Sequence, residues 1–112
     1  MCLFCKIAAK EIPAKIVYEN DKVIAFHDIN PQAPAHLLII PKQHIATFND
    51  ITAENSSCIA EMYKVIPEIT KELGISEEGY RIVGNCNKNG GQEVYHIHLH
   101  IMGGRKFQWP AG

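Results

Sequence analysis

Apolar and polar positions along the chain change period several times, and each change marks an element. Residues 3–9 read as a short N-terminal helix, with Pro13 blocking its continuation. Two runs follow, Lys15-Ile-Val-Tyr-Glu19 and Lys22-Val-Ile-Ala-Phe-His27, separated by Asn20-Asp21. That arrangement predicts a hairpin, because Asn and Asp tolerate the positive φ of a tight turn. Residues 28–34 form a loop stiffened by Pro31 and Pro34. His36-Leu-Leu-Ile-Ile40 is a continuous apolar run closed by Pro41, the pattern of a central strand.

The period then switches. Ile59, Met62, Tyr63, Ile66, Ile69 and Leu73 recur at steps of three and four, which predicts one buried face of a single main helix. Asp50 or Thr52 can cap its start and Gly74 can end it. Pro67 cannot donate to the Tyr63 carbonyl, so a kink is expected there. Tyr80-Arg-Ile-Val83 and residues 94–102 read as two more strands, joined by a loop holding Asn85, Asn87, Asn89, Gly90 and Gly91. Mostly antiparallel strands, about five, with one main helix and a short N-terminal one predict an α+β fold.

Composition narrows the class. The 112 residues suit one domain spanning 1–112, and 46% hydrophobic with 21% charged residues is ordinary for a globular chain. A formal net charge of −1 gives no general pull toward nucleic acid or an anionic membrane, so neither is expected as a partner. No apolar run approaches the roughly 18–20 residues that span a bilayer. The first ten residues lack the apolar stretch and cleavage pattern of a signal peptide, and a cytoplasmic location is expected. In a reducing compartment the pair Cys2-x-x-Cys5 points to metal or redox chemistry rather than a structural disulfide, while Cys58 and Cys86 read as packing residues.

The most informative segment is Tyr95-His-Ile-His-Leu-His-Ile-Met102. In a strand, His96, His98 and His100 share one face, and Ile97, Leu99 and Ile101 share the other, in the core. Residues two apart are about 6.6–6.8 Å apart along a strand, so the imidazoles line a ridge rather than converge. Histidine is a common zinc ligand, but a straight ridge alone does not wrap a tetrahedral ion; the alternative is a nucleophilic middle histidine oriented by its neighbours. The upstream Gly90-Gly91 favours the nucleophile, since glycine lets backbone N–H groups approach a phosphate closely.

With His96-Ile-His98-Leu-His100-Ile-Met the chain resembles the histidine triad (HIT) superfamily. The resemblance extends through Phe4-Cys-Lys-Ile7, Glu11-Ile-Pro13, Ala25-Phe-His-Asp28, Pro31-Gln-Ala-Pro34, His36, Gly90-Gly-Gln92, Gly103-Gly-Arg105 and Trp109-Pro-Ala-Gly112. These motifs are similar to the nucleotide-binding branch, bacterial type, of purine nucleoside phosphoramidate hydrolases. The resemblance implies P–N bond cleavage releasing AMP or GMP, with His98 as nucleophile, His100 at the phosphate and leaving group, and His36 and His96 supporting them. It places Phe4, Ile7, His27, Ile29 and Leu38 around the base and ribose, Asp28 on the ribose hydroxyls, and Asn85, Gly91 and Val94 at the phosphate. Animal members carry a serine where this chain has Glu93, which puts the preferred amine in question.

The same resemblance implies a homodimer with sheets joined edge to edge and Trp109 reaching into the partner's site. It also implies that catalysis requires no cofactor. Members with the CxxC complete a structural zinc site with two histidines, here His44 and His96 beside Cys2 and Cys5. Apart from that, His44 reads as a loop histidine, and Lys42, Arg105 and Lys106 read as solvated charges. Rival readings are a dinucleoside polyphosphate hydrolase or nucleotidyl transferase, and a nucleotide-binding interaction module whose turnover is incidental.

Overall fold

In the computed structural model, which describes residues 2–112, helix α1 (Leu3–Ala8) opens at Cys2, whose Sγ accepts the Cys5 N–H at 3.2 Å. A hairpin of β1 (Ile16–Glu19) and β2 (Val23–His27) follows, as the two runs flanking Asn20-Asp21 predict. Its turn uses different chemistry from that expected. Neither Asn20 nor Asp21 adopts a positive φ; instead Asn20 Oδ1 accepts the N–H groups of Lys22 and Val23 at 2.8 and 3.0 Å. A side chain that supplies its own acceptor removes the need for left-handed backbone.

Strand β3 (Ala35–Pro41) is central in an antiparallel five-stranded sheet of order β1-β2-β3-β5-β4, with β4 at Tyr80–Val83 and β5 at Leu99–Gly103. Both faces of the sheet are covered, which is why residues 37–40 are all buried. Leu37, Ile39, Leu99 and Ile101 join the core beneath helices α2 (Ser56–Lys64) and α3 (Ile66–Glu72). On the other face Ile24, Phe26, Leu38 and Ile40 pack with Phe4 and Ile7 of α1.

The expected main helix is present over 56–72 and is interrupted once, next to the kink expected at Pro67. The chain breaks at Val65, and Pro67 sits in the first turn of α3, where its missing N–H costs nothing. Buried Met62, Val65, Ile66 and Ile69 are themselves at helical spacing, so Tyr63 falls on the flank and is 47% exposed rather than core. Asp50 and Thr52 do not cap this helix. Asp50 closes a capping box with Thr47 on a 3-10 turn (Phe48–Asp50), and α2 starts after Asn55, whose N–H bonds Thr52 Oγ1. Gly74 does follow α3, at φ +74°.

The strand expected over 94–102 begins only at Leu99. Ahead of it the Ile97 N–H bonds the Ile45 carbonyl at 2.7 Å, outside the ladder. The alternation survives all the same: Ile97 is core, while His96 and His98 turn toward Phe4. The preceding loop contains a short helix, α4 (Asn87–Gly90), ended by Gly91 at φ +78°. Buried Gln92 braces it, with Oε1 accepting the Asn87 N–H and Nε2 donating to the Ala46 and Val94 carbonyls.

Candidate active site

The three histidines of the motif have three different partners. His96 is fully buried; its Nε2–H donates to the Pro41 carbonyl at 2.8 Å, which leaves the Nδ1 lone pair facing the cysteines. Nδ1 lies 3.2 Å from Cys2 Sγ, 3.5 Å from Cys5 Sγ and 3.3 Å from His44 Nδ1. His44 Nδ1 is in turn 3.5 and 3.3 Å from the two sulfurs. Zn–S of about 2.3 Å and Zn–N of about 2.0–2.1 Å give tetrahedral edges of roughly 3.3–3.6 Å for nitrogen–nitrogen and nitrogen–sulfur pairs and about 3.8 Å for the sulfur pair, and the four ligand atoms, all within 4.8 Å of one another, fit one ion. Burial, then the neighbouring Cys2, pushes the Cys5 thiol up, a preference that a bound cation would reverse. The Pro41 carbonyl that orients His96 is the outer-shell partner such a ligand needs.

His98 donates its Nδ1–H to the His96 carbonyl at 2.8 Å, so Nε2 carries the free lone pair. Phe4 packs edge-on against its ring at 5.0 Å, and the His100 ring lies 5.1 Å away. His100 is held from β3. The Gln32 N–H donates to His36 Nδ1 at 2.9 Å, which puts the His36 proton on Nε2, and this donates to His100 Nδ1 at 2.9 Å. The remaining proton of a neutral His100 is therefore on Nε2, directed away from the pair as a donor. Burial, with His98 and His36 adding to it, lowers His100 to about 4, and burial likewise lowers His36 and His96. Asp28 Oδ2 lies 3.4 Å from His36 Nε2, and its Oδ1 accepts the Asn30 N–H at 2.8 Å.

Beside these rings is a cleft of about 860 Å³, and Phe4, Ile7, His27, Asp28, Ile29 and Leu38 all line it. Val94 packs on the apolar cluster beneath. Phe26, Pro31 and the turn residues 12–15, Lys15 included, also line the cleft. Sequence reasoning missed them, although Phe26 is two residues before Asp28 on the same alternation. Asn85 lies against Gly90 at the start of the α4 loop, and Glu93 is exposed at its end. The Gly91 and Gln92 N–H groups are already bonded to the Lys88 and Asn87 carbonyls, so the glycine pair makes a turn rather than the open amide cradle expected of it. Trp109 is not brought to the cleft; it is 85% exposed.

Two residues read as solvated charges are engaged. Lys42 pairs with Glu19 at 2.7 Å, and Arg105 donates to the Gln32 carbonyl while stacking on Phe107. Only the adjacent Gly103-Gly104 marks Arg105 in the sequence.

Phe4, a wall of this cleft, also packs on the His98 ring, so an imidazole with one free nitrogen and a second presenting a proton stand next to it, an arrangement compatible with nucleophilic catalysis. The chain belongs to the HIT domain family, whose model matches residues 9–107. It is 52% identical over 103 residues to the purine nucleoside phosphoramidase of Escherichia coli (strain K12), covering 92% of this chain and 87% of that one. The fold superimposes on a HIT family hydrolase from Legionella pneumophila Philadelphia 1 with a TM-score of 0.96, at 55% identity and full coverage of both chains. A histidine triad protein from Clostridium difficile matches with a TM-score of 0.92 at 46% identity, over 96% of this chain and 93% of that one.

Proposed function

We propose that the chain hydrolyses purine nucleoside 5′-phosphoramidates, releasing AMP or GMP and an amine. The observation that carries this reading is the free Nε2 of His98, held by the His96 carbonyl beside an apolar cleft with a carboxylate among its walls. The likeness to the Escherichia coli phosphoramidase supports it.

In the reaction His98 Nε2 forms a bond to the α-phosphorus, and the P–N bond breaks with its electron pair going to nitrogen. His100 Nε2–H faces that nitrogen, which takes up a proton and leaves as the amine. Water then attacks the nucleotidyl-His98 intermediate. One water balances the cycle: its hydroxyl goes to phosphorus, and its proton replaces the one taken by the amine. Phe4, Ile7, His27, Ile29 and Leu38 surround the base and sugar. Asp28 accepts from the ribose hydroxyls, a role suited to a carboxylate. Asn85, Gly91, Glu93 and Val94 flank the phosphate.

The set Cys2, Cys5, His44 and His96 would hold a structural zinc, since four protein ligands leave no open position for substrate. Bound there, the metal would anchor α1, and with it Phe4, to the approach of β5. The chain is read as a homodimer through the edge strand β4, where Ile82 is 39% exposed and Arg81 holds the tail bearing Trp109. Among the described residues no helix is long and apolar enough to cross a membrane, and the free thiols of all four cysteines fit a cytoplasmic setting.

Steady-state hydrolysis of a fluorogenic adenosine phosphoramidate, wild type beside His98→Ala and each with and without a chelator, tests the reading. Turnover lost in the mutant alone is the expected result. Loss to the chelator with the fold intact would overturn the metal-free mechanism, and slow AMP release insensitive to His98→Ala would favour a binding module.

A further inference from the structure

The proton pattern of the His36–His100 pair originates in a loop, not in either strand. His36 can present Nε2–H to His100 only while its Nδ1 is kept as an acceptor, and the group that keeps it so is the Gln32 N–H at 2.9 Å. Gln32 is exposed, in the segment between Pro31 and Pro34, and its side-chain Nε2 reaches only the Asn30 carbonyl. What grips this segment from outside is the chain just past β5. Gly104, at φ +91°, approaches Pro34 so closely that a Cβ there would stand 2.8 Å from Pro34 Cβ. The next residue, Arg105, sends Nη2 and Nε to the Gln32 carbonyl at 3.0 and 3.3 Å. Its guanidinium lies 4.0 Å over the Phe107 ring, which fixes the donors in direction.

We propose that Arg105 is a positioning residue for the reaction: by clamping the Gln32 carbonyl it keeps the Gln32 N–H on His36 Nδ1, and so keeps the His100 proton on the nitrogen that faces the leaving amine. This rests on the phosphoramidase reading for its effect on rate, but not for its effect on the histidines. Without the clamp Gln32 relaxes and His36 also samples the tautomer protonated at Nδ1. In that tautomer the Nε2 lone pair meets His100 Nδ1, which must then carry the proton, and His100 Nε2 becomes an acceptor. Asp28 Oδ2, 3.4 Å from His36 Nε2, still favours the productive form, so the loss is partial.

The test uses the full chain. Nitrogen-15 spectra of the histidine rings report the His36 tautomer directly: wild type shows one form, with a bare Nδ1, and Arg105→Ala shows a mixture. In the phosphoramidate assay Arg105→Ala lowers kcat by about tenfold to a hundredfold, less than the roughly 10²–10⁴ of a complete general acid, with KM within about threefold. Arg105→Lys, which still offers a donor to the carbonyl, falls in between. Arg81→Ala is the control, because Arg81 holds the same tail through the Gln108 carbonyl and the Phe107 ring without touching Gln32. It is expected to leave the His36 tautomer as in wild type. The proposal is overturned if Arg105→Ala keeps a single tautomer, or if Arg81→Ala shifts it equally, which would make docking of the tail the cause. A wild type without turnover would sink the functional reading, while the spectra would still judge Arg105.

Discussion

His98 has one proton and one lone pair, and the His96 carbonyl decides which nitrogen has which. A chain lacking that ring retains the cleft, the carboxylate and both flanking histidines. His98→Ala is therefore expected to reduce turnover by roughly three orders of magnitude or more while AMP affinity, measured calorimetrically, stays within a few fold. Glu93 is expected to act on a different quantity. It is exposed at the end of the α4 loop, where an ionised carboxylate favours a cationic leaving amine over an anionic one. Because exposed pairs are worth about 0.2–1 kcal/mol, Glu93→Ser should shift the ratio of kcat/KM for lysine-like and acidic amines by no more than about fivefold. The shift should shrink at high salt. An unchanged ratio at low salt would remove Glu93 from specificity.

Helix α1 is only six residues long, too short to be stable alone, so its position depends on what its ends are tied to. One tie is the packing of Phe4 and Ile7 on Phe26 and Leu38; the other is the pair of thiols that flank Phe4. With zinc in the four-ligand set, Cys5→Ser should lower the metal content from one ion per chain to a fraction. It should speed amide exchange across α1 and raise KM for the nucleotide more than it lowers kcat, since His98 keeps its own backbone tie. Unchanged metal content in Cys5→Ser would remove the site. The α2–α3 break shows the opposite dependence. Val65 and Pro67 make it locally, and the helices pack on the sheet with the break in place.

For the domain as a unit, the buried histidines couple stability to acid. His36 and His100 are both held below the usual histidine value, His100 at about 4, so the unfolded chain binds protons that the folded chain refuses. Stability therefore falls as pH drops from about 6.5 toward 4, and these groups contribute no slope above neutrality. Urea midpoints across that range should show the fall, and His100→Asn, which does not titrate, should flatten part of it. An equal slope in the mutant would place the proton uptake elsewhere. The edge strand β4 carries the other prediction: Ile82→Lys should convert a dimer into a monomer in sedimentation analysis, since a charge on an edge discourages pairing.

Local pattern was enough for the elements whose physics is local. Two short runs split by Asn20-Asp21 placed β1 and β2, the continuous apolar run put β3 at the centre, and Gly74 marked the end of the helical region, because turn, run and C-cap signals depend only on neighbouring residues. The motif placed His98, and the resemblance placed six residues that do meet in one cleft. What stayed hidden needed partners far along the chain. The turn at Asn20 was found for the wrong reason, since a side-chain acceptor and a positive φ leave the same mark in sequence. The three histidines of the ridge took three different sets of partners, the cysteines and His44, a main-chain carbonyl, and His36, only because Cys2, the His96 carbonyl and His36 reach them from different directions. Arg105 read as solvent because its acceptor is a main-chain carbonyl 73 residues away, and every residue type has a carbonyl. Side-chain periodicity records which face a residue occupies; which atom it meets there depends on folding the distant segments together.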